Sequence, residues 1–216
     1  MADRTVRGER VGETRESILV AAERMFAEHG VITVSNRQVS EAAGQGNNAA
    51  VGYHFGTKAD LVRAIVRKRS APVEAIRVGM VAELGGDAGV RDWVACLVRP
   101  SLEHLAELGN PTWFARFGAQ VMTDPALRPI MVEEALSAPS LRQIIDGLHR
   151  CLPAMADEVR AERGDMARQL MVHMSAERER ALAEGVGTPR ASWSDAAAGL
   201  IDALCGLWLA PITTSS

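Results

Sequence analysis

The stretch Ser35-Asn36-Arg37-Gln38-Val39-Ser40-Glu41-Ala42-Ala43-Gly44, then Gln45-Gly46 and Asn47-Asn48-Ala49-Ala50-Val51-Gly52-Tyr53-His54-Phe55, with Thr57-Lys58 close behind, decides how this chain is read. Ser35 and Gln38 stand at capping-box spacing, so the serine oxygen and the glutamine side chain can satisfy helix-end amides reciprocally. Gly44 supplies the stop. Two short helices joined by a glycine-bearing turn follow from this, which is helix-turn-helix grammar. The second helix is small and polar on one side: Asn47, Asn48, Ala49 and Gly52 offer amide hydrogen bonding and close approach rather than bulk. Such a face suits a DNA groove.

The flanks are helical too. Ile18, Ala22, Met25 and Phe26 recur at helical spacing behind Thr14, with Gly30 as the stop, which predicts an amphipathic helix over residues 14–29. A further helix is expected from Thr57, with Leu61, Ile65 and Val66 inward and Arg63, Arg67, Lys68 and Arg69 outward; Pro72 should kink or restart it before Gly85-Gly86. The pattern then continues in pieces at about 90–108, 112–123, 126–136, 139–150, 154–184 and 193–209, with Gly164 as a possible break and Pro153 as a possible start. A domain boundary is expected near residue 70.

Composition agrees with helices: 47% of residues are hydrophobic and only 4% aromatic. No apolar run is long enough to span a bilayer, and Met1 to Glu13 lacks the apolar middle of a secretory signal, so a cytoplasmic location without membrane contact is the expectation. Cys96, Cys151 and Cys205 form no CxxC pair, which argues against a zinc finger or disulfide framework and for packed thiols. The net charge of −3 conceals an asymmetry, since residues 1–70 carry +3 and the remainder −6. Only the first third suits a polyanion. Lys58 and Lys68 are the only lysines among 24 basic residues.

These residues resemble the TetR family of bacterial transcriptional repressors: Thr14-Arg15, Ile18-Leu19, Ala21-Ala22, Phe26, Glu28 and Gly30, then Val39, Ala43-Gly44, and Tyr53-His54-Phe55 with Lys58 and Leu61. The resemblance implies an all-α homodimer. It would have an N-terminal three-helix helix-turn-helix DNA-binding domain, and a C-terminal helical ligand-binding and dimerisation domain that pairs through its last two helices. The implied division is a flexible basic arm over 1–13, a DNA-binding domain over 14–70 and an effector-binding and dimerisation domain over 71–216. Two departures stand out. The turn between Ala43-Gly44 and Tyr53-His54-Phe55 is one residue longer than in most members, and a phosphate-binding tyrosine common in the family aligns with Gly52 rather than Tyr53.

Candidate DNA-binding residues follow. Arg37 can reach a guanine edge or a phosphate, and the resemblance puts a DNA-contacting arginine there. Gln45, Asn47 and Asn48 are candidate base readers, because a carboxamide both donates to and accepts from adenine. Asparagine is also favoured in turns and caps, so Asn47 and Asn48 have that second reading. Tyr53 and His54 would touch phosphate or pack the head. Thr57 would cap the next helix, whose positive end and Lys58 form a phosphate clamp. Arg4, Arg7 and Arg10 would reach along the DNA backbone or into a minor groove, or else form a solvated tail.

Beyond the boundary, Trp93, Trp113, Phe114, Phe117, Met122, His149, Met171 and His173 could line an effector cavity, and each has a plain core reading as well. Leu170, Leu200, Leu204, Leu207 and Trp208 are the expected dimerisation residues. His104, His149 and His173 have no metal-ligand spacing, and neither a metal nor a cofactor is expected. The expected function is a ligand-responsive regulator, a repressor whose homodimer binds a pseudo-palindromic operator in double-stranded DNA and is released by a small-molecule effector. An enzyme finds no support: Gly44-Gln45-Gly46 lacks the Gly-Lys-Ser/Thr of a phosphate loop, and there is no GxSxG or HExxH. A helical dimer that bridges DNA or binds protein without an effector stays open as the rival.

Overall fold

The computed structural model describes the backbone of residues 2–213 and the side chains of residues 11–213. Among these the chain is all helix and turn, with ten helices in order: α1 Ala2–His29, α2 Asn36–Ala42, α3 Ala50–Phe55, α4 Lys58–Ala82, α5 Val90–Leu108, α6 Phe114–Thr123, α7 Arg128–Ser137, α8 Pro139–Cys151, α9 Asp157–Ala183 and α10 Trp193–Leu209. Helices α5 and α10 start and stop where the periodicity predicts.

Five departures from expectation stand out. Helix α1 begins at Ala2 instead of being capped at Thr14, because nothing in residues 2–13 breaks a helix; the stretch contains no proline. The expected flexible arm is therefore helical along its backbone, and the side chains of Arg4, Arg7 and Arg10 lie outside the described residues. Helix α4 runs unbroken through Pro72, and α9 runs through Gly164. Pro153 does not open α9, which starts at Asp157. Helix α3 is shorter than expected, since residues 45–49 form the turn.

The described residues divide into two compact units. The first takes the chain up to Ser70 and also Thr112–Glu134, so the expected boundary at 70 captures only part of it. Its core joins Ile18, Ala22 and Phe26 of α1 with Val39, Val51, Leu61 and Ile65, and with Phe117 and Val121 of α6. Phe26 and Phe117 stack with centroids 6.3 Å apart. Burying an aromatic pair of this kind is worth several kcal/mol in area alone, at roughly 25 cal/mol per Å². Arg63 and Arg67 of α4 both bond the carboxylate of Glu134, at 3.0 and 2.9 Å, closing the unit at its far end.

The second unit takes Ala71–Pro111 and Ala135–Ser216, of which the described part ends at residue 213. Here α5 packs on α8 and α10. Trp93 lies so close to Gly147 that a Cβ there would stand 2.3 Å from its ring, which explains a glycine in the middle of α8. The buried guanidinium of Arg163 on α9 donates to the carbonyls of Trp208 and Ala210 at 2.7 and 2.6 Å, satisfying orphan acceptors at the end of α10.

Candidate nucleic-acid interface

The α2–turn–α3 segment is assembled by caps. Gln38 N donates to Ser35 Oγ at 3.2 Å and Ser35 N donates to Gln38 Oε1 at 2.8 Å, the reciprocal box that the spacing predicts. Helix α2 ends at Ala42 with Ala43 as its C-cap, and Gly44 follows with φ +69°, a left-handed conformation that costs glycine little. Val39 and Val51 then lock α2 and α3 into the core from the inner side. Asn47, Asn48, Ala49, Gly52 and Tyr53 are left on the outer side, and Tyr53 is 83% exposed.

Helix α4 opens with a second box. Thr57 Oγ1 donates to Asp60 Oδ2 at 2.6 Å, and Asp60 N donates back to Thr57 Oγ1 at 3.1 Å. The side-chain bond from Thr57, followed by its backbone N–H, holds the Asp60 carboxyl below its ordinary range. Gly56 precedes with φ +83°, and a Cβ there would lie 3.2 Å from the same carboxylate. The turn therefore requires glycine on both counts.

The expected DNA-binding side chains share one end of this unit, but several spend their polar atoms internally. Arg37 is exposed and pairs with Glu41 at 2.8 Å, one turn along α2. Gln45 is half-buried, and its amide donates to Ala43 O at 3.1 Å. Asn47 Oδ1 accepts from Ala49 N at 2.9 Å, so its turn-and-cap reading is realised. Asn47 and Asn48 are both exposed. His54 is half-buried, with its ring edge-on to Tyr53 at 5.0 Å. Lys58 does not stand free: its ammonium donates to Val31 O at 2.9 Å and Ile32 O at 3.3 Å, the carbonyls that follow α1. The lysine expected to clamp phosphate is thus used to tie α4 to the first turn of the loop.

Two contributors escaped the sequence reading. Arg15 donates to His54 O at 2.7 Å and lays its guanidinium over the Phe55 ring at 4.2 Å, fastening α1 to the last turn of α3. Ser40 is fully buried between α2 and α3. Its place beside Val39 and three residues before Ala43, on the inward side of α2, is the signal that could have marked it.

The expected effector residues are divided between the two units. Trp113, Phe114, Phe117 and Met122 belong to the first unit, where Trp113 Nε1 donates to Glu28 at 3.1 Å and Phe117 sits in the core. Trp93, His149, Met171 and His173 belong to the second. Trp93 is buried against Gly147, His149 lies edge-on to Trp208 at 6.3 Å, Met171 is half-buried, and His173 is exposed and bonded to Gln169. Burial, then the nearby Arg160, pushes the His149 imidazole below its usual range. In the second unit an open cleft of ≈ 230 Å³ is lined by Met80, Leu84, Arg91, Ala95, Cys96 and Ile201 among others, none of them in the expected set.

The expected dimerisation residues fall into two groups by burial. Leu200, Leu204 and Trp208 are buried within the protomer, because α10 turns its apolar stripe to α5 and α9; only Leu170 and Leu207 remain partly exposed. Burial raises the Cys96 and Cys205 thiols, which favours their protonated form. Among the described residues no cluster of His, Cys, Asp and Glu could hold a metal, and no helix is long and apolar enough to cross a membrane.

Comparison with known proteins bears on the same two regions. Residues 18–65 match the domain family described as bacterial regulatory proteins, tetR family, and residues 95–206 match the tetracyclin repressor-like C-terminal domain. The HTH-type transcriptional repressor AcnR of Corynebacterium glutamicum is 32% identical over 93 residues, covering 41% of this chain and 49% of that protein. AcnR of Corynebacterium efficiens is 38% identical over 64 residues, covering 30% and 34%. The chain thus spans half or less of the curated relatives it matches. Among solved structures, AmtR of Mycobacterium smegmatis aligns at 24% identity and a TM-score of 0.58 over 88% of this chain and 85% of its own. A tetR family regulator from Shewanella sp. PV-4 aligns at 14% and 0.60, over 90% and 96%. At these identities both report the shared fold alone.

Proposed function

The chain belongs to the TetR family of bacterial regulatory proteins, and we propose that it is a DNA-binding transcriptional regulator. In this reading it acts as a repressor, its homodimer occupying a pseudo-palindromic operator. One observation carries the proposal: the capped α2–turn–α3 segment is fixed from inside by Val39 and Val51 and presents Arg37, Asn47, Asn48 and Tyr53 outward. Small residues at Ala49 and Gly52 let that backbone approach a groove closely, where the asparagine amides can read adenine and Arg37 guanine or phosphate. The positive charge of the first 70 residues supports a polyanionic partner.

Two such segments in a dimer would enter major grooves about one DNA turn apart, ~34 Å. A small-molecule effector bound by the second unit would change that spacing, with α4, which contributes residues to both units, carrying the coupling. Only about 1 to 3 kcal/mol of coupling is needed, because each 1.4 kcal/mol alters affinity tenfold. The name of the AcnR relatives supports repression over activation.

The test is capture of genomic DNA fragments by the purified protein at near-physiological salt, followed by sequencing. A shared palindrome supports the reading. Retention of fragments without a common motif, or of none, overturns it and favours the rival interaction module.

A further inference from the structure

Helix α3 enters irregularly, and its own cap residue does not repair the entry. Ala49 supplies no side-chain acceptor, Ala50 N bonds Asn47 O in a tight three-residue turn at 3.0 Å, and the regular helical bonds begin only with Tyr53 N to Ala49 O at 2.9 Å. Between these lies the Val51 amide, an orphan donor of the kind that every helix start produces, with the Asn48 carbonyl close by. Ser40, from the neighbouring helix, meets both. Val51 N donates to Ser40 Oγ at 3.4 Å, and the hydroxyl reaches Asn48 O at 3.3 Å.

We infer that Ser40 is the positioning residue of the recognition helix: its buried hydroxyl caps α3 from across the turn and so sets the pose in which Asn47, Asn48 and Arg37 are offered to DNA. This rests on the proposal that the α2–α3 face binds DNA. The hydroxyl also lies 3.1 Å from Asn36 O, four residues back on its own helix. A hydroxyl has one proton and two lone pairs, so it can share its proton between the two carbonyls while accepting from Val51. A local bond to Asn36 alone would leave α3 indifferent to the residue at 40. Because Ser40 is fully buried, no water can replace it. Asn47 is spent on the turn, its Oδ1 accepting from Ala49 N, and the Val51 amide is left to a neighbour.

Ser40→Ala and Ser40→Thr are compared with the native full-length protein. The readouts are the ratio of affinities for the selected operator and for a scrambled duplex, and hydrogen exchange at the Val51 amide. Alanine is a good helix residue, so α2 persists. Non-specific binding comes from phosphate charge and stays level in both variants. The expected result for Ser40→Ala is a ratio reduced at least about tenfold with Val51 exchange faster by a similar factor, while Ser40→Thr, which keeps the oxygen, holds both near native. Unchanged Val51 exchange in Ser40→Ala overturns the cap. Faster exchange with an unchanged ratio overturns the positioning role, and so does a folded threonine variant that loses the ratio. If the native protein selects no operator, the DNA-binding proposal falls by that result, and the exchange comparison still decides whether Ser40 caps α3.

Discussion

Arg15 and His54 are 39 residues apart in sequence, yet the Arg15 guanidinium donates to the His54 carbonyl at 2.7 Å while its flat face covers the Phe55 ring. The contact joins the middle of α1 to the end of α3. Arg15→Met keeps much of the stem and removes the donor and charge. It is expected to reduce operator affinity about tenfold, in line with the ~1 kcal/mol of one exposed hydrogen bond plus a lost cation. Fluorescence anisotropy with a labelled duplex measures this. Arg15→Lys should recover little, since an ammonium cannot stack as a guanidinium does.

The outward face itself is tested by replacing Arg37, Asn47 and Asn48 together with alanine. Each lost base contact is worth about 1 to 3 kcal/mol, so specific affinity should fall more than about 100-fold. Stability should fall by only about 1 kcal/mol, because Asn47 also caps its turn. Operator binding that survives the triple change at native strength would place the reading surface elsewhere.

Two core positions separate the units. Phe117→Ala removes a fully buried ring from the first unit and is expected to cost about 3 to 5 kcal/mol, read as a lowered melting transition and faster exchange in α6. Gly147→Ala puts a methyl 2.3 to 2.5 Å from three ring atoms of Trp93 in the second unit. Its expected cost is at the upper end of the ~1 to 3 kcal/mol typical of overpacking, and Trp93→Leu in the same chain should relieve part of it. Additive losses in that double variant would deny the clash.

Leu204→Asp distinguishes a core residue from an interface residue. Leu204 is fully buried within one protomer, so an unpaired carboxylate there should unfold the second unit, with a loss beyond about 4 kcal/mol. A folded monomer at native melting temperature would restore Leu204 to the dimer interface.

Acid should loosen the first unit in a defined way. Hydrogen bonds from Arg67, then Arg63, hold the Glu134 carboxyl below its ordinary range, as Thr57 does for Asp60. For a carboxylate whose folded value is lowered, the stabilisation is complete above the unfolded value, near 3.9 to 4.3, and is lost as pH falls through the lowered one. Melting temperature should therefore decline from about pH 5 downward. Glu134→Gln should melt lower at neutral pH and show a shallower acid slope. An unaltered slope would remove Glu134 from the acid response.

The helices were legible because their causes are local. Ser35 and Gln38 cap at a spacing of three, Gly30 and Gly44 stop helices through their own backbone freedom, and the stripe of Ile18, Ala22 and Phe26 repeats within one element. The outward placement of Asn47, Asn48 and Tyr53 was legible for the same reason, since Val51 claims the opposite side.

What a stripe faces is a different matter, since amphipathicity states that a surface is covered and not by what. Only the tertiary structure placed Phe117 against Phe26 in the first unit, turned Leu204 and Trp208 into the protomer, and spent the Lys58 ammonium on Val31 and Ile32. It alone brought Ser40 to Val51 and Arg15 to His54. Sequence by itself determined the family, the helices and the residues offered outward, all consequences of short-range spacing. Tertiary structure decided which polar groups remain for DNA, because a side chain's hydrogen-bond partner depends on elements folded beside it that are distant along the chain.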